Sequence, residues 1–365
     1  MADADVECLL ITSEANHRYL TGHATQAFQS TTRPIASVFP VQGDPTLVVA
    51  SSHVAQAEAT SWPASEVRAY DGFEAAAIAE LAIVIGKLKP KRIGYEAGPE
   101  QRLGLSQFGF VSLREAVKAE WADASALLQS LRATKSKAEV ALIEDAGQIL
   151  GRAFDTSAKA IAPGVREHHI YTTLVHNALE LGADRIGYFA MHSGTGNYGR
   201  LNGAPTRRVL ETGDLVWMDV GCVVDGYWAD LTFIAAIGSA SPHAREAYRA
   251  VRETTEAVIA RMGPGTVAGS MADLALAELK SRGATLTSPG RIGHGLGLQL
   301  TEWPSIAAGA SESIGLGMTI AIEPAWNRDD GHFVTEQNLV VTPDGCARLG
   351  PIAPMELPIL ATRPY

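Results

Sequence analysis

Four acids and one histidine stand in the second half of the chain where ordinary surface chemistry does not account for them. The run VWMDVGCVVDGYWADLTF places Asp219 and Asp230 eleven residues apart, each inside an apolar, strand-like stretch, with a Gly-containing turn between them. A hairpin would bring the two carboxylates together. Either one alone reads as a cap at a strand end, but an aspartate between Met218 and Val220 is heavily penalised unless a cation sits nearby. RIGHGLGLQLTEWPSI presents His294 between glycines, which let backbone pass close to a ligand. MTIAIEP ends a strand on Glu323, and HFVTEQNLVVT opens another at Glu336. Aimed at one cavity, these groups repel by several kcal/mol at short range unless neutralised, and two divalent cations would do that. Hard oxygen donors with one nitrogen suit manganese, iron, cobalt or zinc better than a thiolate-type site would.

The elements that must position these residues follow from turn signals and periodicity. VECLLI, IASVFP and TLVVA read as strands closed by residues such as Gly43, Asp44 and Pro45. Helical patterns cover Glu74 to Leu88 and Asp123 to Leu131, with Asp123 as a cap, so an α/β domain is expected over 1–129. A boundary near Ser130 precedes a long helical stretch, LRATKSKAEVALIEDAGQILGRAFDTSAKAI, closed by Pro163 and Gly164. Residues 130–365 then repeat a theme. Helices at Ile143 to Ile161 and Glu167 to Leu181 precede strands at Leu215 to Val220 and Tyr227 to Ala236. Helices at His243 to Met262 and Met271 to Arg282 precede strands at Met318 to Glu323 and Thr335 to Val341. Two similar halves with a site between them are implied, in an α+β protein.

Composition narrows the function classes. A chain of 365 residues, 46% hydrophobic, can bury the cores of two domains. Its formal net charge of -10 argues against nucleic acid as a partner, because phosphate-binding surfaces concentrate Lys and Arg. The N-terminal MADADVECLLITSEANHRYL has neither a basic start nor a long apolar run, so a cytosolic protein without membrane attachment is expected. The apolar window Ala75 to Leu88 carries Glu80 and Lys87 and reads as a packed helix. Cys8, Cys222 and Cys346 are far apart and odd in number, which suggests free thiols.

The chain resembles the creatinase, prolidase and methionine aminopeptidase family, the "pita-bread" metallopeptidases, over nearly its whole length. RYLTGH and the strands after it look like the creatinase-type N-terminal domain. Asp219 in MDVG, Asp230 in GYWADLT, His294 in GHGLGLQ, Glu323 in IEP and Glu336 in TEQNLVV match the family's five metal ligands in order. The resemblance implies that Asp219 chelates one ion, His294 and Glu323 the other, and that Asp230 and Glu336 bridge them. It also implies a water or hydroxide between the ions as nucleophile. Glu323 is the candidate proton shuttle to the leaving group, and Thr232, two residues beyond Asp230, is expected to support that ligand. An Xaa-Pro aminopeptidase or dipeptidase acting on a short peptide is the leading expectation.

Two positions depart from the family pattern. Peptidases of this family usually carry a substrate-contacting histidine where Asn202 stands, and another where Thr301 stands, seven positions after His294. That leaves open a metal-dependent hydrolase or lyase of a small non-peptide metabolite, or a binding protein on the same fold. His192, Tyr198, Trp228, Trp303 and His332 lie close in sequence to the ligand segments, and His192 or His332 is the expected replacement for the absent imidazoles. The resemblance also implies a homodimer, with the polar segment from His23 to Arg33 as a loop toward the partner's site.

Overall fold

The computed structural model describes residues 1, 5–62, 65–284 and 290–361. Its contacts fall into two compact units, Met1–Arg132 and Ala133–Tyr365.

The first unit runs β1 (Cys8–Ile11), α1 (Glu14–Thr21), β2 (Ala36–Pro40), β3 (Thr46–Ala50), α2 (Val54–Thr60), β4 (Glu66–Tyr70), α3 (Glu74–Leu88), β5 (Arg92–Tyr95), α4 (Gln107–Ala116), β6 (Glu120–Asp123) and α5 (Ser125–Ala133). Six strands form one mixed sheet in the order β4-β3-β2-β1-β5-β6. Both faces are covered, which is why β1 reads as an unbroken apolar run rather than an alternation. Cys8 and Leu10 pack with Leu81 and Ile85 of α3, whereas Leu9 and Ile11 pack with Leu128 of α5. That contact ties α5 to this unit, and Ser130 lies inside that helix, close to its end. Asp123 ends β6, and its carboxylate accepts the Ser125 amide at 2.9 Å. The segment after α1 starts buried, since His23 is enclosed and bonds His17 and Gln56, and it becomes exposed over much of its remaining length.

The second unit opens with α6 (Lys137–Ala158) and α7 (Glu167–Glu180), followed by β7 (Arg185–Ser193), β8 (Leu215–Val224) and β9 (Tyr227–Ile237). The long helix read from sequence is therefore two helices. Ser136 starts α6 with a reciprocal capping box to Glu139, which forces a break after α5. After β9 come α8 (Pro242–Ile259), α9 (Ala268–Ser281), β10 (Arg291–Gly295), β11 (Glu302–Ala307), β12 (Thr319–Ile322), β13 (Ala325–Arg328), β14 (Gly331–Val334), β15 (Gln337–Thr342), β16 (Gly345–Leu349) and β17 (Ile359–Leu360). One sheet has the order β17-β9-β8-β7, and another β11-β10-β12-β15-β16. Helices α6 and α7 cover one face of the first through Leu150, Phe154, Ile170 and Leu174, packed on Val216, Met218, Val220 and Leu231. The second is covered by Val258 of α8, by Met262 just after that helix and by Met271 and Ala275 of α9, packed on Ile320, Ile322, Leu339 and Val341.

Candidate metal centre

The first pair of acids is set by a hairpin. Asp225 and Gly226 join β8 to β9 with φ of 44° and 79°, the left-handed pair of a two-residue turn whose twist matches its strands. The resulting register places Asp219 opposite Thr232 and Gly221 opposite Asp230. Side chains alternate along a strand, so Asp219 and Asp230 share one face, diagonal to each other, while Met218, Val220 and Leu231 point back toward α6 and α7.

The other three candidate ligands come from the second sheet by the same logic. His294 pairs with Ala321, and Ala321 with Asn338. The ladder between β12 and β15 ends at Ile322 and Gln337, so Glu323 and Glu336 stand across from each other one position further on. The ligand atoms of Asp230, His294 and Glu336 all lie within 4.8 Å of one another. His294 Nε2 is 3.6 Å from Asp230 Oδ2 and 3.6 Å from Glu323 Oε1. Asp219 stands close enough to Asp230 for the two carboxyls to shift each other's acidity.

Burial and mutual repulsion dominate the electrostatics. Burial pushes the Asp219 carboxyl up to about 6, and burial with the nearby Asp219 charge pushes Glu323 to about 7. Asp230 and Glu336 are also raised, first by burial and then by the neighbouring carboxylates. Two anions about 5 Å apart repel by about 3 kcal/mol at an effective dielectric near 20. Asp219 Oδ1, Asp230 Oδ1 and Glu336 Oε1 are buried without a hydrogen-bond partner among the described residues. Burial lowers His294 to about 4, and its Nδ1 lies 2.9 Å from the Gly295 carbonyl. A carbonyl only accepts, so Nδ1 carries the hydrogen and the Nε2 lone pair faces the acids. Orphaned carboxylate oxygens around a neutral imidazole fit divalent cations, which would supply the missing positive charge.

Supporting contacts hold this arrangement. Thr232 donates to Glu336 Oε2 at 2.9 Å, so it supports Glu336 and not, as expected, Asp230; on β9 its side chain stands beside that of Asp230 and reaches across to the Glu336 strand. The Asn338 amide clamps the Asp230 backbone, accepting from its N–H at 2.9 Å and donating to its carbonyl at 2.6 Å. The sequence reading missed Asn338, although a buried amide inside the apolar run of β15 was a signal.

The expected substrate residues fall into separate groups. Asn202 accepts from the Tyr188 hydroxyl at 2.6 Å, and Thr301 from the Arg291 guanidinium at 3.2 Å. His192 stacks flat on Trp217, with ring centroids 4.7 Å apart, and near His332 and Tyr198. Both nitrogens of the fully buried His192 lack hydrogen-bond partners among the described residues, whereas His332 Nδ1 meets Asn327. The Tyr198 hydroxyl accepts from the Leu215 amide. Trp228 lies against Gly187 and Gly221 and donates to the Leu298 carbonyl, while Trp303 packs at the edge of the α8–α9 core.

A two-sheet unit lined by buried acids and one imidazole defines a metallohydrolase class, and comparison with known proteins narrows it. Residues 141–343 match metallopeptidase family M24, and residues 1–134 match the creatinase/prolidase N-terminal domain. The chain belongs to the M24 metallopeptidases, and its α+β organisation and metal-dependent hydrolase class follow from that membership. An "uncharacterized peptidase YqhT" of Bacillus subtilis is 26% identical over 93% of this chain and 92% of its own. An Xaa-Pro dipeptidase of Pyrococcus furiosus is 27% identical, the match covering 61% of this chain and 64% of that protein. Among solved structures, an Xaa-Pro dipeptidase from Bacillus anthracis superposes with a TM-score of 0.87 at 25% identity, covering 98% of this chain and 96% of its own.

Proposed function

We propose that this protein is an Xaa-Pro dipeptidase or aminopeptidase that works with two divalent ions held by Asp219, Asp230, His294, Glu323 and Glu336. The observation that carries the reading is the set of buried carboxylate oxygens without donors, gathered from two sheets around the free lone pair of His294. The activities of the Pyrococcus and Bacillus anthracis relatives, both Xaa-Pro dipeptidases, support the Xaa-Pro specificity. Divalent ions in such a site supply Lewis acidity and make water a nucleophile near neutral pH. The protein's own part is to position and to move protons. Asn338 and Thr232 fix Asp230 and Glu336, and Glu323, whose side chain is 26% exposed, hands a proton to the leaving amine. Manganese, cobalt, iron and zinc all suit the donors. The resemblance to the family supports a homodimer, and three free thiols are compatible with a reducing cytosol.

The test combines elemental analysis with a panel of Xaa-Pro dipeptides and longer peptides after reconstitution with each metal. Two ions per chain and cleavage of Xaa-Pro bonds are expected. Bound metal without cleavage of any peptide favours the second reading, hydrolysis or lysis of a small non-peptide metabolite, which Asn202 and Thr301 support.

A further inference from the structure

The outer edge of β9 is paired toward both of its ends and open between them. Alternate residues of a strand turn their N–H and C=O the same way, so Asp230, Thr232, Ile234 and Ala236 all direct theirs away from β8. The Asn338 amide takes both backbone groups of Asp230, and the Ala236 amide donates to the Pro358 carbonyl at 2.9 Å. Pairing with β17 begins only there, because the chain reaches β17 through Pro354 and Pro358, which have no N–H to give. The outward backbone groups of Thr232 and Ile234 have no hydrogen-bond partner among the described residues.

Both residues line a cavity of about 340 Å³, bounded also by α6, by Tyr248 of α8 and by the prolines before β17. On one side of the edge its wall is Phe154 and Phe233, with ring centroids 5.3 Å apart, and on the other Ile234 and Val334. An extended chain laid along this edge sends successive side chains to opposite sides, so all of them would meet apolar surface. About three residues, at roughly 3.3 Å each, cover the stretch from Thr232 to Ile234. The exposed Asp155 lines the cavity beside Phe154, Glu336 is the other acid in its wall, and among the described residues no Lys, Arg or His lines it. The chain end that suits this lining is an ammonium rather than a carboxylate.

We propose that this cavity seats a short apolar peptide with a free amino terminus, which adds to the edge of β9 as a strand and sets its ammonium beside Asp155. Main-chain hydrogen bonds give such strand addition its affinity, and the flanking apolar walls its specificity. Thr232 belongs to both sites. Its backbone pairs with the peptide while its hydroxyl holds Glu336 Oε2, so the seat is coupled to metal binding.

The coupling rests on the metal reading above and the seat does not, so the experiment measures them separately. Metal-free protein is mixed with L-leucyl-L-valyl-L-leucinamide, which has no Xaa-Pro bond, and amide hydrogen exchange is followed residue by residue. The Thr232 and Ile234 amides should gain protection. The analogue N-methylated at its two inner amides should give none. Ala158→Phe, which fills the cavity from a half-buried position at the end of α6, should abolish the protection. Asp155→Asn should weaken binding several-fold and erase the preference for the free amine over the N-acetylated peptide. In Mn2+ titrations, saturating peptide should lower the metal Kd about 5-fold, an effect lost in Thr232→Val while amide protection is kept. Absence of protection, equal protection by the N-methylated analogue, or protection that survives Ala158→Phe overturns the seat. Unchanged binding in Asp155→Asn overturns the ammonium contact, and a Kd that peptide does not move overturns the coupling. Protection in a protein that binds no Mn2+ removes the metal reading and leaves the seat standing.

Discussion

Each unit of this protein buries carboxylates, and the two solve the problem in opposite ways. Glu96 in the first unit is 2% exposed and saturated with donors. Its Oε2 accepts from the Thr12 amide and hydroxyl and the Ser13 amide, at 2.7, 3.0 and 3.0 Å, and its Oε1 from the Ser13 hydroxyl and the Asn16 amide. Asp219, Asp230 and Glu336 in the second unit each keep an oxygen with no donor and stand among other acids. A buried acid that holds the fold is surrounded by N–H and O–H groups; one surrounded by acceptors calls for a cation or a proton.

The sharpest way to break that contrast is to remove acids from each unit. Asp219→Ala or Glu336→Ala should reduce turnover to background and release bound metal, read by steady-state assay and elemental analysis. Glu96→Ala should instead cost about 3–5 kcal/mol in denaturant unfolding, because it strands buried donors, with metal content per folded chain unchanged. A third test uses pH. The folded carboxyl of Glu323 is raised to about 7, so in metal-free protein its contribution to stability is present at acid pH and lost as pH rises through 7. Metal-free Glu323→Gln should therefore match the native protein below about pH 4.5 and exceed it by on the order of 3 kcal/mol above pH 7. Added metal should reverse the order. The smallest effect is expected for Thr232→Val, which removes the donor to Glu336 and should weaken metal affinity about 10- to 100-fold while leaving Glu96 and the first unit untouched.

The acids could be read from the sequence because each breaks an apolar strand pattern, and apolar patterns are what a chain displays most openly. The Asp-Gly hairpin was legible for the same reason. The break before α6 was written in Ser136 and Glu139, three apart, but the continuous apolar periodicity around them hid it. Strand β7 was missed because its two faces serve different cores: Met191 packs with α6 and α7 whereas Ala190 packs with α8, so RIGYFAMHS shows no clean alternation. The contacts of Tyr188, Arg291 and Asn338 span 14, 10 and 108 residues, the last of which no local pattern encodes.

The two-residue turn at Asp225 and Gly226 imposes a rule of parity on evolution at this site. Adding or deleting one residue there would send Asp230 to the helix side of its sheet, whereas substitutions that keep the count leave its direction alone. Homologues that retain activity should therefore vary freely in the identity of the residues between the two aspartates and almost never in their number.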